Sequence, residues 1–191
     1  MRLGKTRLPI PTDEYDRAWG DQLIRAIDQN IDAVLADISD SAGVTGYYGS
    51  FFSTVTQTAA AINTPYAMTF NSTALSNQIG VVSNSRITFK NRGTYNIQFS
   101  AQLDQTAGAA HNAYIWFRQN GTNIANSASV VAIQGTTSES VPAWNFIVSV
   151  LGGDYVEIMW AADDTGVRLL ADPSNAFRPA IPSVIATVVS V

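Results

Sequence analysis

Few residues in this chain have the type and spacing that metal binding requires. His111 is the only histidine. Three copies of it near a threefold axis could bind a metal, but a solvated loop residue before a strand is the simpler interpretation. Asp163 and Asp164 offer oxygen ligands for Ca²⁺, yet they lack the spacing of a calcium-binding loop and fit a polar turn better. We therefore predict no metal site.

The acidic and nucleophilic residues do not form a recognisable catalytic set either. Glu139, Asp154 and Glu157 are spread over predicted turns and strand faces, which gives no reason to pair them as glycosidase carboxylates. The sequence contains no phosphate-binding glycine loop, no HExxH and no GxSxG. It also has no cysteine, so disulfides, thiolate ligands and a cysteine nucleophile are excluded. We expect a protein that is not an enzyme and binds no cofactor.

Three of the four tryptophans fall on predicted strands: Trp116, Trp144 and Trp160. An aromatic ring on a sheet surface can stack on a sugar. It can equally fill the core or a subunit interface, where it buries about 150–250 Å². We favour the core or a subunit interface for these three rings.

Composition and charge restrict the class of protein further. The 191 residues allow one full domain and an appendage, and a net charge of −4 gives no basis for binding nucleic acid. No apolar run approaches the roughly 20 residues that span a bilayer. Acidic residues, not an apolar segment, follow the basic N terminus, so we expect no secretory signal peptide. We predict neither a nucleic-acid partner nor a membrane partner.

The N-terminal region is predicted to contain a basic arm, residues 1–11, and an amphipathic helix, residues 12–41. Thr12 fits the helix N-cap. Isoleucine and valine then recur with heptad spacing, with Ile24, Ile31 and Ile38 at a positions and Ile27 and Val34 at d positions. β-Branched residues at both positions favour three- or four-stranded assemblies. Only about two heptads are present, so the stripe could instead pack on the chain's own domain.

After a linker at residues 42–49, residues 50–191 show the period of two that is typical of half-buried strands. In residues 86–103, two alternating strands flank a turn at Asn91, Arg92 and Gly93. A run of two glycines, Gly152 and Gly153, lies between two apolar strands and predicts a two-residue hairpin. Strands are predicted at residues 50–57, 66–70, 79–82, 86–90, 94–103, 113–119, 124–133, 141–150, 154–160, 167–170 and 184–191. Many short strands in one domain indicate an antiparallel sandwich or jelly roll.

The order of these segments resembles the C1q/TNF-like jelly roll. The resemblance rests on Gly93-Thr94-Tyr95 opening a long strand, on a strand ending at Arg118-Gln119-Asn120-Gly121, and on two apolar strands around Gly152-Gly153-Asp154. It covers roughly residues 50–191. It implies a mainly β, C1q/TNF-like antiparallel jelly-roll sandwich that forms homotrimers, in agreement with the heptad spacing. The trimer contacts expected from the helix and the aromatic strands are Ile24, Ile27, Ile31, Val34, Ile38, Tyr95, Trp116, Trp144 and Trp160.

The N-terminal part is similar to short helical openings of tailed-bacteriophage structural proteins. The similar segments are residues 8–11, 15–17 and 22–25. Bacteriophages attach C1q/TNF-like trimers to capsids and fibres, so a basic arm, a helix and a trimeric β-head together look like a virion accessory protein. The resemblance implies a virion location after assembly in the host cytoplasm.

Two functions follow as expectations. The first is a trimeric capsid decoration or cement protein whose N-terminal part binds the major capsid protein or another virion protein. The residues expected to contact the shell are Arg2, Lys5, Arg7, Tyr15, Trp19 and Leu23. The second is a fibre tip or adaptor whose head binds a host glycan or receptor through loops such as residues 105–112 or 171–182.

Overall fold

A computed structural model describes residues 17–41, 46–136 and 138–191, and within the helix it describes the side chains of residues 20–32. The chain divides into two compact units, Met1–Gly46 and Tyr47–Val191. The predicted arm, the N-cap Thr12 and residues 42–45 of the linker lie outside the described residues.

In the described part of the first unit, a helix, α1, spans Arg17–Ser41. It ends close to the predicted boundary at residue 41. The isoleucines at heptad spacing are exposed, with Ile24 at 59%, Ile27 at 42% and Ile31 at 50% relative accessibility. The described part of the helix is not long and apolar enough to cross a membrane.

The second unit consists of strands joined by short turns. In chain order they are β1 (Tyr48–Ser53), β2 (Gln57–Thr58), β3 (Tyr66–Ala67), β4 (Ser72–Asn77), β5 (Ile79–Val82), β6 (Arg86–Phe89), β7 (Gly93–Ala101), β8 (Leu103–Gln105), β9 (His111–Gln119), β10 (Thr122–Asn123), β11 (Ser129–Ile133), β12 (Glu139–Ser140), β13 (Ala143–Val150), β14 (Tyr155–Ala162), β15 (Val167–Leu169) and β16 (Val184–Ser190). Most predicted strands are present, while β4, β10 and β12 were not predicted.

Several strand boundaries differ from the prediction, among them the start of β1 and the predicted strand at residues 124–133. β1 begins at Tyr48, inside the predicted linker. The predicted strand at residues 124–133 is interrupted, because Asn126 adopts a left-handed backbone conformation with φ 61° and only residues from Ser129 pair with β9. Asparagine tolerates that conformation better than most residues, so a turn forms there.

Two large antiparallel sheets form the sandwich, and a small sheet closes one end. The front sheet has the order β13-β7-β16-β1-β4. The back sheet has the order β10-β9-β14-β6-β5, with β11 also paired to β9 and β3 to β14. The end sheet is β12-β8-β15-β2. The predicted fold class, a mainly β antiparallel jelly-roll sandwich after an N-terminal helix, is confirmed in its architecture.

The predicted hairpin at Gly152 and Gly153 is wrong. β13 belongs to the front sheet and β14 to the back sheet, so the two glycines carry the chain from one sheet to the other. A Cβ on Gly152 would lie 2.9 Å from the carbonyl oxygen of Lys90, and Gly153 has φ +93°. Glycine is needed here because the crossing passes close to the end of β6, where Gly153 N–H donates to the Phe89 carbonyl at 2.8 Å.

The core lies between the front and back sheets. Tyr95, Ile97, Phe99 and Ala101 of β7 are at most 2% exposed, as their alternation predicts. From the back sheet, Ala113, Ile115 and Phe117 of β9 and Val156, Ile158 and Trp160 of β14 face them. Most strands therefore bury one face, whereas β14, at the centre of the back sheet, is buried on both faces.

Candidate subunit interface

The outer face of the front sheet carries no charge. None of its five strands, all of which the structure describes, contains an Asp, Glu, Lys, Arg or His. Charged residues are depleted at the centres of protein–protein interfaces, because burying an unpaired charge costs free energy. An uncharged face across a whole sheet is therefore suited to being covered by another protein surface.

Large apolar side chains are exposed on this face. The strand register places Ile147, Asn96, Val189 and Tyr48 in one row across β13, β7, β16 and β1. Ile147 is 59%, Val189 45% and Tyr48 39% exposed. Leu75, at 62%, extends the apolar surface onto β4. Burying one such side chain fully is worth about 1.5–3 kcal/mol.

The polar residues of the front face are amides and hydroxyls. Asn96, Gln98 and Thr187 alternate with the apolar side chains, and Asn145 Nδ2 donates to Asn96 Oδ1 at 3.2 Å. Such groups can hydrogen-bond across an interface without the desolvation cost of an ion. The front face thus combines apolar area with uncharged polar groups, as interface cores do.

Tyr48, Ile147 and Val189 were not predicted as contact residues. A signal for them was present, because β16 reads Val-Ile-Ala-Thr-Val-Val-Ser and is apolar on both faces. A strand with one solvated face alternates with polar residues, so apolar residues at the outward positions indicate that both faces are to be covered.

Two of the predicted trimer contacts, Tyr95 and Trp160, are wrong. Tyr95 is 0% and Trp160 is 1% exposed, so both side chains are buried in the chain's own core. Tyr95 packs on Phe89 with ring centroids 4.6 Å apart, and Trp160 packs on Tyr66 at 6.1 Å. The period of two shows which residues share a face, but it does not show which face is the core.

The other two aromatic residues are half-buried and lie at different places. Trp144, on the edge strand β13, packs edge-on against Phe99 at 4.6 Å. Trp116 faces outward from the back sheet, where its indole Nε1 donates to Asn123 Oδ1 at 2.9 Å. Their roles as trimer contacts remain predictions.

The helix residues have mixed outcomes. Ile24, Ile27 and Ile31 are exposed and form a stripe on α1. Val34 and Ile38 belong to α1, but their side chains are outside the described set, as is that of Trp19. Leu23 is half-buried. Arg2, Lys5, Arg7 and Tyr15 lie outside the described residues, so the predicted shell contacts remain predictions.

The back sheet, in contrast, carries charges that are paired with one another. Glu157, 4% exposed, accepts hydrogen bonds on Oε2 from Arg118 Nε at 3.0 Å and Arg118 Nη2 at 2.8 Å. Its Oε1 accepts from the Ser85 hydroxyl at 2.8 Å. Arg86 lies 4.0 Å from the same carboxylate, and its guanidinium carbon is 4.6 Å from the ring centroid of Tyr155. This network was not predicted from the sequence.

His111 and the two aspartates come together, although not as a metal site. His111 is the first residue of β9, with Nδ1 3.2 Å from Asp163 and Nε2 3.9 Å from Asp164. Burial raises the pKa of Asp163, but hydrogen bonds from the backbone and side-chain amides of Asn112, together with His111, lower it to below its ordinary value overall. Asp164 Oδ1 accepts from Gly166 N–H at 2.7 Å, as expected for a polar turn. The described residues contain no cluster of three or more potential metal ligands.

The fold places the chain in a structural class, that of mainly β jelly-roll modules preceded by an N-terminal helix. No protein-family model and no curated protein matches the chain. Among solved structures, the chain is similar to the "Globular Domain of Zebrafish Complement 1qA protein", at 14% sequence identity and a TM-score of 0.47. That match covers 77% of this chain and 98% of that chain. At this identity and score the likeness carries no inference about function.

Proposed function

We propose that this chain is a non-enzymatic structural protein of a tailed-bacteriophage virion, a homotrimeric decoration or cement protein. The homotrimer is supported by the uncharged front face, on which Tyr48, Ile147 and Val189 are exposed. The exposed isoleucine stripe of α1 supports the same stoichiometry, because isoleucine at a and d positions favours more than two strands. The virion assignment rests on the sequence resemblance of the N-terminal segments.

In this role, three front faces meet about the threefold axis and the N-terminal region lies along the shell. Apolar burial across several subunits adds free energy to the assembled shell, and this opposes the pressure of the packaged genome. Each stable contact buries about 800 Å² per partner. Arg2, Lys5, Arg7, Tyr15, Trp19 and Leu23 are the residues proposed to contact the capsid.

The first test is the native mass of the full-length chain by light scattering at several concentrations. A stable mass of three times 20.5 kDa is expected. A monomer at all concentrations would remove the trimer and with it the decoration role. The second test removes residues 1–41. The remaining head should stay trimeric and lose capsid binding, whereas capsid binding that survives the deletion would contradict attachment through the N-terminal region.

A second candidate is receptor recognition by the head, and one loop favours it. Phe177, in the loop between β15 and β16, is 86% exposed. Asn175 Oδ1 accepts from the backbone N–H groups of Phe177 and Arg178, both at 3.1 Å. Arg178 also pairs with Asp172 and donates to the carbonyls of Pro173 and Pro179. A loop fixed in this way presents its aromatic ring at low entropic cost.

The recognition role predicts saturable binding to host cells that depends on Phe177. Aromatic hot spots cost about 2 kcal/mol or more on truncation, so Phe177→Ala should weaken cell binding at least about 30-fold. Val55→Ala, at another exposed apolar position, is the control. Equal cell binding by the parent and Phe177→Ala would remove this loop from the receptor site.

A further inference from the structure

The outer face of the back sheet contains an aromatic strip that neither proposed function uses. Tyr114 and Trp116 alternate on β9 with the buried Ala113, Ile115 and Phe117, so both rings point away from the core. Residues two apart on a strand are about 7 Å apart, so the rings stand side by side. Tyr114 is 38% exposed, and Trp116 is half-buried.

The neighbouring strands complete a shallow apolar surface around these rings. The register places Met159 of β14 beside Trp116, and Ala161 beside Tyr114. On the other side, Val130 of β11 pairs with Tyr114 and is 60% exposed. Met159 and Ala161 are almost fully buried, which leaves the two rings and Val130 as the raised parts of the surface.

The orientation of the indole is fixed before any ligand arrives. Trp116 Nε1 donates to Asn123 Oδ1 of β10 at 2.9 Å, and β10 is held to β9 by main-chain pairing. A side chain that is already immobilised loses little conformational entropy on binding. The ring is therefore presented as a rigid platform.

Fixed polar groups stand at both ends of the strip, and each is held by hydrogen bonds with neighbouring residues. At one end Arg118 is bound to Glu157, and at the other Asp163 accepts from the backbone and side chain of Asn112, both at 2.9 Å. Between these ends the face carries no charged residue on β9. A surface that is uncharged between hydrogen-bonded polar ends is complementary to an uncharged ligand that offers hydroxyl groups.

From these contacts we propose that the face formed by Tyr114, Trp116 and Val130 binds a neutral carbohydrate chain. The C–H faces of successive pyranose rings would pack on the two aromatic rings and gain from apolar burial. Sugar hydroxyls would meet the polar groups at the two ends of the strip. From Asn112 to Arg118 the strand extends about 20 Å, which accommodates several sugar units.

This inference does not rest on the decoration role, because it uses the face of the sandwich opposite to the proposed trimer interface. It also differs from recognition through the Phe177 loop, which lies elsewhere on the head. The decoration role, the Phe177 receptor site and the carbohydrate site are therefore decided by separate experiments, and failure of one does not disprove the others.

The test is titration calorimetry of the full-length protein with cellohexaose, chitohexaose, maltohexaose and mannohexaose at millimolar concentration. Saturable binding of at least one neutral oligosaccharide is expected. Trp116→Ala should weaken binding about tenfold or more, which corresponds to about 1.4 kcal/mol. Trp116→Phe, which keeps an aromatic ring, should retain part of the affinity, and Tyr114→Ala should have a smaller effect than Trp116→Ala.

Val82→Ala is the matched control, since it truncates an apolar side chain that is exposed elsewhere on the back sheet, and it should bind as the parent does. The native mass and circular dichroism of each variant show whether fold and assembly are retained. The proposal is overturned if no neutral oligosaccharide binds, if only the anionic hyaluronan hexasaccharide binds, or if Phe177→Ala removes binding while Trp116→Ala does not. A change of native mass in Trp116→Phe without sugar binding would instead identify this face as a subunit contact.

Discussion

The two outer faces of the sandwich differ in the charged residues that they carry. The front face has no ionisable carboxylate or base on any strand and exposes Ile147 and Val189. The back face has Arg118 and Glu157 bound to each other, with Trp116 beside them. Both faces belong to the same fold and are built on strands of the same alternating period.

This difference shows which face can be covered by a second subunit at low cost. Covering the front face desolvates only apolar, amide and hydroxyl groups, so most of the apolar burial remains as binding free energy. Covering the back face would desolvate ions, and that cost can exceed the attraction between them. The front face is therefore the better candidate for a subunit contact, and this leaves the back face for the proposed carbohydrate chain.

The strongest test of this contrast places one charge on each face. Val189→Asp inserts a carboxylate into the front face and should reduce the trimer to a monomer in light scattering, because three carboxylates would be buried near one another without partners. Val82→Asp is the matched control on β5 of the back sheet, where valine is similarly exposed, 54% against 45%. A trimer that tolerates Val189→Asp as well as Val82→Asp would contradict the proposed interface.

The next test concerns the charges of the back face. Glu157→Ala leaves the half-buried Arg118 without its carboxylate, and should lower the free energy of unfolding by about 1–3 kcal/mol in urea denaturation. Replacing both residues by leucine should recover most of that loss, since the pair is then absent altogether. Glu139→Ala, at an exposed glutamate, should change stability little. The native mass of Glu157→Ala should be unchanged if the back face is not a subunit contact.

A smaller effect is expected at the isoleucine stripe. Ile27→Ser should weaken trimer association by about 1–2 kcal/mol per subunit, because it removes apolar area that is buried between the helices. Two heptads provide little such area, so each isoleucine matters. Gln29→Ser, on an exposed helix position, serves as the control for helix propensity. Analytical ultracentrifugation gives the association constants. Identical constants for the two variants would show that the front face holds the trimer without the helix.

The smallest expected effect is that of pH on stability and association, and it differs between the two faces. Asp163, at one end of the back face, has a pKa below its ordinary value, so its stabilising contribution is complete above that ordinary value and is lost as the pH falls through the lower, folded-state pKa. The free energy of unfolding should therefore decrease below about pH 4. Asp163→Asn should decrease less steeply in the same range. Association through the front face should stay constant from about pH 5 to 8, because no front-face strand carries a group that titrates in that range.

The fold was predictable where local alternation decides it. Residues 86–103 alternate strictly, and the buried set Tyr95, Ile97 and Phe99 matches that alternation. The connection at Gly152 was not predictable, because an apolar strand has the same alternation whichever sheet it joins. Strand partnership depends on contacts between residues far apart in the chain.

The same limit applies to the candidate sites. Arg118 and Glu157 are 39 residues apart, and only the β9–β14 register brings them together. Trp160 and Trp116 both lie on apolar strands, yet one is buried and the other faces outward. Residue type alone does not separate them. The sequence did contain a signal for the front face, because β16 is apolar on both faces, a pattern typical of strands covered on both sides.

The two ends of the β-domain meet at one place, with consequences for engineering. Ser190 N–H donates to the Tyr47 carbonyl at 2.9 Å, and the Tyr47 N–H donates to Ser190 Oγ at 3.1 Å. A peptide of a few residues would close this gap, so the head is a candidate for circular permutation, with new termini opened at the far ends of the strands. A permutant opened at the Phe177 loop would display a fused peptide at the end of the head opposite to Tyr47.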